Sequence, residues 1–185
     1  MADVQSPAGE FRGADLAGKY LTFALSHEEY GLPVLKVREI IKMMDITAVP
    51  QVPAHVRGVI NLRGSVVPVV DLAVKLGREE SPLSRRSCIV IVETSLRGER
   101  VVTGVVADAV NQVIEFSPDD IEPPPAFGTG VRLHYLDGIA KTGGSFVLVL
   151  NMDSVLSDEA LTVATLAHPS DVEAPAPVES PVQAP

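Results

Sequence analysis

Short apolar runs that end at turn residues limit what this chain can fold into more than any other feature. Val59 to Leu62 and Val66 to Val70 flank Arg63-Gly64-Ser65, and a second pair of this kind lies within residues 88–106. Two apolar runs separated by a tight turn with a glycine are typical of a β-hairpin. The runs are also shorter than most globular helices. We therefore predict a mainly all-β fold.

The same pattern continues along the chain. Tyr20 to Leu25 and Ala109 to Phe116 read as strands, and Leu133 to Ala140 pairs with Ser145 to Leu150 across a polar turn. About ten short strands in two successive groups are typical of small barrels. We expect the first barrel at about residues 17–80 and the second at about residues 85–150.

Helices are expected to be short. Asp71 can cap a helical turn at Leu72 to Leu76, and Asn151 can cap a last helix that begins at about residue 151. The segment from Val34 to Met44 fits a short helix about as well as a strand, and the sequence leaves both open.

Both ends of the chain differ from the part between them. Residues 1–16 lack hydrophobic periodicity, and residues 168–185 read HPSDVEAPAPVESPVQAP, with five prolines. Such segments bury too little apolar area to offset the entropy of ordering. We expect a disordered N-terminus, a folded domain at residues 17–157 and a disordered tail.

Composition excludes several classes of partner. The net charge of −9 opposes binding to nucleic acid, and no Lys/Arg cluster relieves it. No apolar run approaches the roughly 18 residues that a membrane helix needs, and the N-terminus lacks the basic and apolar parts of a signal peptide. We expect a cytoplasmic protein without direct membrane insertion.

The residues that usually carry catalysis do not form a pattern. No phosphate-binding glycine loop is present, and the histidines are scattered without the spacing of metal ligands. Cys88 lies in a strand-like run, where a buried inert thiol is the usual outcome. Asp119 and Asp120 suit the start of a helix better than acid/base chemistry. We predict no enzyme activity, no cofactor and no metal.

One segment is more specific than the rest. It reads Asn61-Leu62-Arg63-Gly64, with Pro68 four residues after the glycine and Asp71-Leu72 three further on. Spacing alone indicates a solvated arginine at a hairpin tip. However, the segment resembles the signature of CheW-like chemotaxis coupling proteins. The run VLKVREI at Val34 to Ile40 also resembles this family, in the segment that follows its opening hairpin. With weaker matches elsewhere, the resemblance covers about residues 17–157.

The resemblance implies a fold and a function. The fold is two five-stranded SH3-like β-barrel subdomains around a shared hydrophobic core. The function is that of a non-enzymatic adaptor, which couples chemoreceptors (methyl-accepting chemotaxis proteins) to the histidine kinase CheA. In this family a groove between the barrels receives the cytoplasmic tip of the receptor, and other surfaces bind the regulatory domain of the kinase.

The resemblance also implies which residues bind these partners. Arg63 and Glu39 match the interacting Arg and Glu of the family, and they are expected to lie near one another. Val37, Val59 and Gly64 are further candidates for contact with the receptor or the kinase, and Asn61 belongs to the same motif. The apolar members of this set are explained equally well as core residues.

Two alternatives remain open at this stage. The crevice between two packed barrels could hold a small ligand or an active site, although no convergent set of polar residues supports this. The coupling fold could also serve a receptor and kinase pathway that controls something other than flagella, which the sequence cannot distinguish.

Overall fold

The computed structural model describes residues 13–125 and 132–157, and this part of the chain contains eleven β-strands and three short α-helices. The strands of the first half are β1 (Gly18–Leu25), β2 (Glu28–Pro33), β3 (Val37–Lys42), β4 (Val56–Leu62) and β5 (Ser65–Asp71). Those of the second half are β6 (Cys88–Leu96), β7 (Glu99–Ala107), β8 (Ala109–Phe116), β9 (Ile121–Glu122), β10 (Leu136–Thr142) and β11 (Ser145–Leu150). The helices are α1 (Gly13–Leu16), α2 (Leu72–Lys75) and α3 (Met152–Leu156).

The strands form two sheets. One sheet has six strands in the order β8-β1-β2-β11-β10-β9, and the other has five in the order β3-β6-β7-β5-β4. The chain is thus mainly β, as predicted, and two small sheets around a shared core agree with the expected SH3-like barrels.

The division of strands between the sheets differs from the expected boundary near residues 80–85. The five-stranded sheet takes the central part of the chain, β3 to β7, whereas the six-stranded sheet joins β1 and β2 to β8 through β11. The reason is that β2 pairs in parallel with β11, and β1 pairs with β8. Strand grouping by order along the chain could not reveal these long-range pairs.

The two sheets contain matching units 80 residues apart. Hairpin β4–β5 with α2 corresponds to hairpin β10–β11 with α3, and the strands that begin at Val56 and Leu136 have the same alternation of burial. Each unit has a register shift one residue after its start, and in each a glycine of a neighbouring parallel strand lies opposite a valine (Gly104 opposite Val69, Gly31 opposite Val149). Hairpin β1–β2 of the first half therefore lies in the sheet with β8 to β11, and hairpin β6–β7 of the second half lies in the sheet with β3 to β5.

Three apolar clusters hold the sheets together. The largest, which we call the seam core, lies between the two sheets and combines residues of both. Its largest side chains include Phe23, Leu25, Tyr30, Leu32, Leu72, Leu150 and Leu156. Each sheet also encloses a smaller cluster of its own. Because burial of apolar area contributes about 25 cal/mol per Å², the seam core fixes the two sheets against each other.

The predicted helix caps are present. The carboxylate of Asp71 accepts a hydrogen bond from the backbone N–H of Val74 (3.1 Å), and the amide oxygen of Asn151 accepts one from that of Ser154 (2.8 Å). Capping of this kind satisfies a backbone donor that the first turn of a helix leaves free. The extension of the last helix past residue 157 and the tail at 168–185 lie outside the described residues.

The structure differs from one local expectation and resolves a segment that the sequence left open. The disordered N-terminus was expected to reach residue 16, but Gly13–Leu16 is helical, and the hydroxyl of Tyr20 donates to the carbonyl of Leu16 (2.6 Å). The segment from Val34 to Met44, for which the sequence left helix and strand open, contains both types of structure. Val34–Lys36 is a 3-10 turn, and β3 follows it. Residues 1–12 lie outside the described part.

Candidate protein-binding surface

The hairpin β4–β5 turns through Arg63 and Gly64. Both residues have positive φ angles, +52° and +87°, and Leu62 pairs directly with Ser65. A two-residue turn of this kind follows the right-handed twist of the two strands, and glycine at its second position adopts the left-handed conformation at little cost. The predicted hairpin is therefore confirmed, with Arg63 at its tip.

The side chain of Asn61 holds this turn. Its Oδ1 atom accepts a hydrogen bond from the backbone N–H of Gly64 at 2.8 Å. Asn and Asp commonly bond to the backbone of a turn in this way. Asn61 and Gly64 are both exposed, and they lie on either side of the arginine.

Arg63 reaches across to Glu39 and makes two hydrogen bonds with it. Nη1 donates to Oε1 and Nη2 to Oε2, both at 2.7 Å. Such paired bonds between a guanidinium and a carboxylate are the strongest type that these side chains form. The expected proximity of Arg63 and Glu39 is present in the structure.

The pair joins two strands that are far apart in the sheet. Glu39 belongs to β3 and Arg63 to the β4–β5 hairpin, and β3 and β4 are the opposite edges of the five-stranded order. Contact between them requires the sheet to curl into a barrel. Two backbone hydrogen bonds between Thr47 and Val59, both 2.9 Å, close the same gap.

The pairing shifts the pKa values of both side chains, although Arg63 stays largely exposed. The hydrogen bond from Arg63 lowers the pKa of Glu39 below its ordinary value, and the same bond raises the pKa of Arg63. The Arg63 side chain is nevertheless 75% exposed, against 27% for Glu39. The guanidinium is therefore held in place while most of it still faces solvent.

The apolar candidates are placed differently. Val37 is half-buried against the seam core, and Val59 is half-buried opposite Pro68. They share β3 and β4 with Glu39 and Asn61. The structure thus brings Arg63, Glu39, Asn61 and Gly64 together, and it leaves part of each valine accessible beside them.

Exposed apolar residues close to these strands were not among the sequence candidates. Val66, opposite Asn61, is 55% exposed; Ile40, next to Glu39, is 45% exposed; and Met44 is 41% exposed. Apolar residues in strands are usually core, so their presence in a strand-like run gives no sign of exposure. The nearness of Val66 to the hairpin tip was the available signal, because tips face solvent.

Three further observations concern metal ligands, the single cysteine and helix length in the described residues. Among residues 13–125 and 132–157 there is no cluster of three or more His, Cys, Asp or Glu that could hold a metal ion. Cys88 is half-buried, and this burial raises the pKa of its thiol. Within the same ranges, none of the helices has the length and apolar character to cross a membrane.

Two grooves lie elsewhere on the surface. One of about 710 Å³ is lined by Phe146, Ile139 and Glu122, among others, and one of about 670 Å³ lies beside Ser81 and Asp108. Neither contains any of the residues expected to bind partners.

Comparisons with known proteins agree with one another. The family of CheW-like domains matches residues 19–160. The chemotaxis protein CheW of Klebsiella aerogenes is 32% identical over 163 residues, which is 88% of this chain and 93% of that protein. CheW of Treponema pallidum is 30% identical over 76% of this chain and 83% of its own.

A solved structure is also similar. The crystal structure of the scaffolding protein TtCheW from Thermoanaerobacter tengcongensis superposes with a TM-score of 0.69 at 34% identity. The match covers 76% of this chain and 88% of that one.

Proposed function

This chain belongs to the CheW-like family, and from that membership we propose that it is a non-enzymatic adaptor that couples chemoreceptors to the histidine kinase CheA. The role is that of a scaffold in a chemotaxis signalling array. Its site of action is the cytoplasm, beside the membrane receptors to which its partners connect it.

We place the partners on specific surfaces. The cytoplasmic tip of a receptor binds at the groove between the two barrels, and the regulatory domain of the kinase binds at a separate face. Arg63, Glu39, Asn61 and Gly64, with Val37 and Val59 beside them, form part of the surface that these partners contact. The observation that supports this best is the bidentate pair of Arg63 and Glu39, which is formed and exposed before any partner arrives.

The chemistry of the surface suits protein recognition. An arginine held in one geometry and flanked by exposed apolar side chains has the composition of a binding hot spot. Val66 and Ile40 provide apolar area next to the ion pair. Residues 37–107 carry ten Lys/Arg against seven Asp/Glu, although the whole chain is strongly acidic. The exposed guanidinium of Arg63 and the apolar side chains beside it favour a partner surface that is apolar and carries an acidic group.

The exchange of hairpins makes the scaffold rigid. Because each sheet contains strands from both halves of the chain, the two halves cannot separate without breaking strand pairs such as β2 with β11 and β5 with β7, and the seam core packs the two sheets against each other. A groove between such barrels is preorganised, and binding to it costs less conformational entropy.

Replacement of Arg63 tests the proposal. We expect Arg63→Ala or Arg63→Glu to weaken binding to the receptor fragment or to the kinase regulatory domain by about 1 to 3 kcal/mol, since a central arginine of an interface contributes on this scale. Isothermal titration calorimetry with each partner measures the loss, and circular dichroism verifies that the fold is intact.

The chain offers a matched control in Arg97. It also follows a leucine and precedes a glycine at a hairpin tip, with φ of +49°, but it lies on hairpin β6–β7. Arg97→Ala is expected to leave both affinities unchanged. Equal losses for Arg63→Ala and Arg97→Ala, or an unfolded Arg63→Ala protein, would contradict a specific binding role for Arg63.

A further inference from the structure

The turn that carries Arg63 occurs a second time in the chain with nearly the same backbone. At Leu96-Arg97-Gly98-Glu99, the arginine and glycine have φ of +49° and +85°, within a few degrees of the values at Arg63 and Gly64. Ser95 stands there at the position that Asn61 takes in the first tip. The second tip thus takes the same turn with serine at that position, so Asn61 restrains a turn that the Leu-Arg-Gly sequence already favours.

The corresponding hairpin of the other barrel forms the same type of turn with two glycines and no arginine. Hairpin β10–β11 turns through Gly143 and Gly144, with φ of +50° and +93°. Glycine takes these angles at little cost, whereas an arginine with positive φ is held against its intrinsic preference. Arg63 is therefore the residue of its tip that gains from an additional restraint.

The hydrogen bond from Gly64 N–H to Asn61 Oδ1 supplies that restraint. It spans the arginine, because it links the residue two before Arg63 to the residue immediately after it. The Cα to Cβ direction of Arg63 follows from this backbone, and the guanidinium must then reach both oxygens of Glu39 at 2.7 Å. Bidentate geometry tolerates little displacement at either end.

We infer that Asn61 is a positioning residue, which acts on partner binding through Arg63 by holding the left-handed tip in the orientation that its pairing with Glu39 requires. This inference rests on the proposed function for its effect on partners. The effect of Asn61 on the pair is independent of any partner.

The first experiment needs no partner. Removal of the acceptor in Asn61→Leu loosens the tip, so the pKa of Glu39 is expected to rise toward its ordinary value, because the hydrogen bond from Arg63 is what lowers it. NMR titration of the Glu39 carboxyl measures this. Hydrogen exchange at the Gly64 amide is expected to be faster in Asn61→Leu and to remain slow in Asn61→Asp, which keeps an acceptor oxygen.

The second experiment uses the partner. Asn61→Leu is expected to weaken binding about three- to tenfold, the effect of losing one hydrogen bond, and to have no further effect when Arg63→Ala is already present. Ser95→Ala in the second tip is the matched control and is expected to change neither the Glu39 titration nor the affinity.

The outcomes separate the inference from the proposed function. If Asn61→Leu leaves the Glu39 pKa unchanged, or weakens binding as much with Arg63→Ala as without it, Asn61 does not act through Arg63 and the inference is wrong. If the Glu39 pKa responds as expected but the unaltered chain binds neither receptor nor kinase, the proposed function fails while the role of Asn61 stands.

Discussion

Backbone strain at one turn illustrates how single residues set the stability of this fold. Among the described residues, five other than glycine have positive φ, and two of them, Ser26 (+47°) and His27 (+76°), form the whole turn between β1 and β2. The carboxylate of Asp108 accepts a hydrogen bond from the backbone N–H of Ser26 at 2.8 Å and so helps to retain the turn. The other tight turns of this type have glycine at the second position.

His27→Gly is therefore expected to stabilise the protein by up to about 1 kcal/mol, because it removes the cost of a left-handed histidine at the price of some extra unfolded-state entropy. Urea unfolding followed by circular dichroism measures the change. Gly64→Ala, at the equivalent position of the β4–β5 turn, is the reverse substitution and is expected to destabilise; the same sign for both variants would contradict this account.

A half-buried carboxyl at the junction of the two barrels links stability to pH. Burial raises the pKa of Asp137 above its ordinary value, and the charge of Asp153 adds to the effect, while a hydrogen bond from Asn151 and the charge of Lys36 oppose it. A raised pKa in the folded state means that the neutral form stabilises the fold. This contribution is complete below the unfolded-state pKa and is lost as the pH rises through the folded-state value.

Asp137→Asn keeps an oxygen that can accept from Asn151 but removes the charge. We expect its urea midpoint to exceed that of the unaltered chain at pH 7, and the difference to shrink as the pH falls through the raised pKa of Asp137. Asp45→Asn, which removes a carboxylate from the exposed surface, serves as the control. A variant less stable at pH 7 would show that the ionised carboxylate is needed there.

Much of the residue-level detail could be predicted, because turn and cap chemistry is local. The tips at Arg63-Gly64 and Arg97-Gly98 and the capping roles of Asp71 and Asn151 all follow from residues within four positions of one another. The pairing of Arg63 with Glu39 came from the family resemblance, since 24 residues separate them and no local rule relates them.

At the level of elements, closure of the five-stranded barrel depends on a close backbone approach. Gly58 on β4 has φ of +140°, and a Cβ atom there would overlap the carbonyl oxygen of Thr47, the residue whose backbone bonds to Val59 close the barrel. Only glycine leaves room for this approach.

Gly58→Ala is expected to cost more than about 2 kcal/mol of stability, because both the backbone angle and the contact with Thr47 oppose the added methyl group. Gly18→Ala is a close control, since its φ of +151° is similar but nothing lies within 4 Å of its Cβ position. Urea unfolding of the two variants separates the cost of the angle from that of the contact. Equal losses would mean that the approach of Thr47 is not critical.

Strand positions were more predictable than strand partners. Apolar runs on either side of glycine-containing turns located the hairpins β4–β5, β6–β7 and β10–β11 in the sequence. At Val34 to Met44 the apolar spacing was compatible with two structures, and the 3-10 turn before β3 explains why, since each type occupies part of the segment.

For the molecule as a whole, the exchange of hairpins between the two halves is the main feature that the sequence did not predict. Pairing of β1 with β8 joins residues about 90 positions apart, and no periodicity within either strand identifies its partner. The seam core depends on this exchange, because Phe23 and Tyr30 reach it from the N-terminal hairpin.

The exchange predicts cooperative unfolding of both barrels. Thermal or urea transitions monitored by NMR at Val147, inside the six-stranded sheet, and at Val69, inside the five-stranded sheet, are expected to coincide. Two separate transitions would mean that the barrels unfold independently despite the seam core between them.

The central claim is that this chain holds a receptor and the kinase together, and co-sedimentation tests it most directly. Vesicles that display receptor cytoplasmic fragments are mixed with CheA in the absence and presence of the chain. We predict that CheA sediments with the vesicles in proportion to the amount of chain added, and that Arg63→Glu reduces this recruitment while Arg97→Ala does not. Kinase recruitment that is the same with and without the chain would contradict the account.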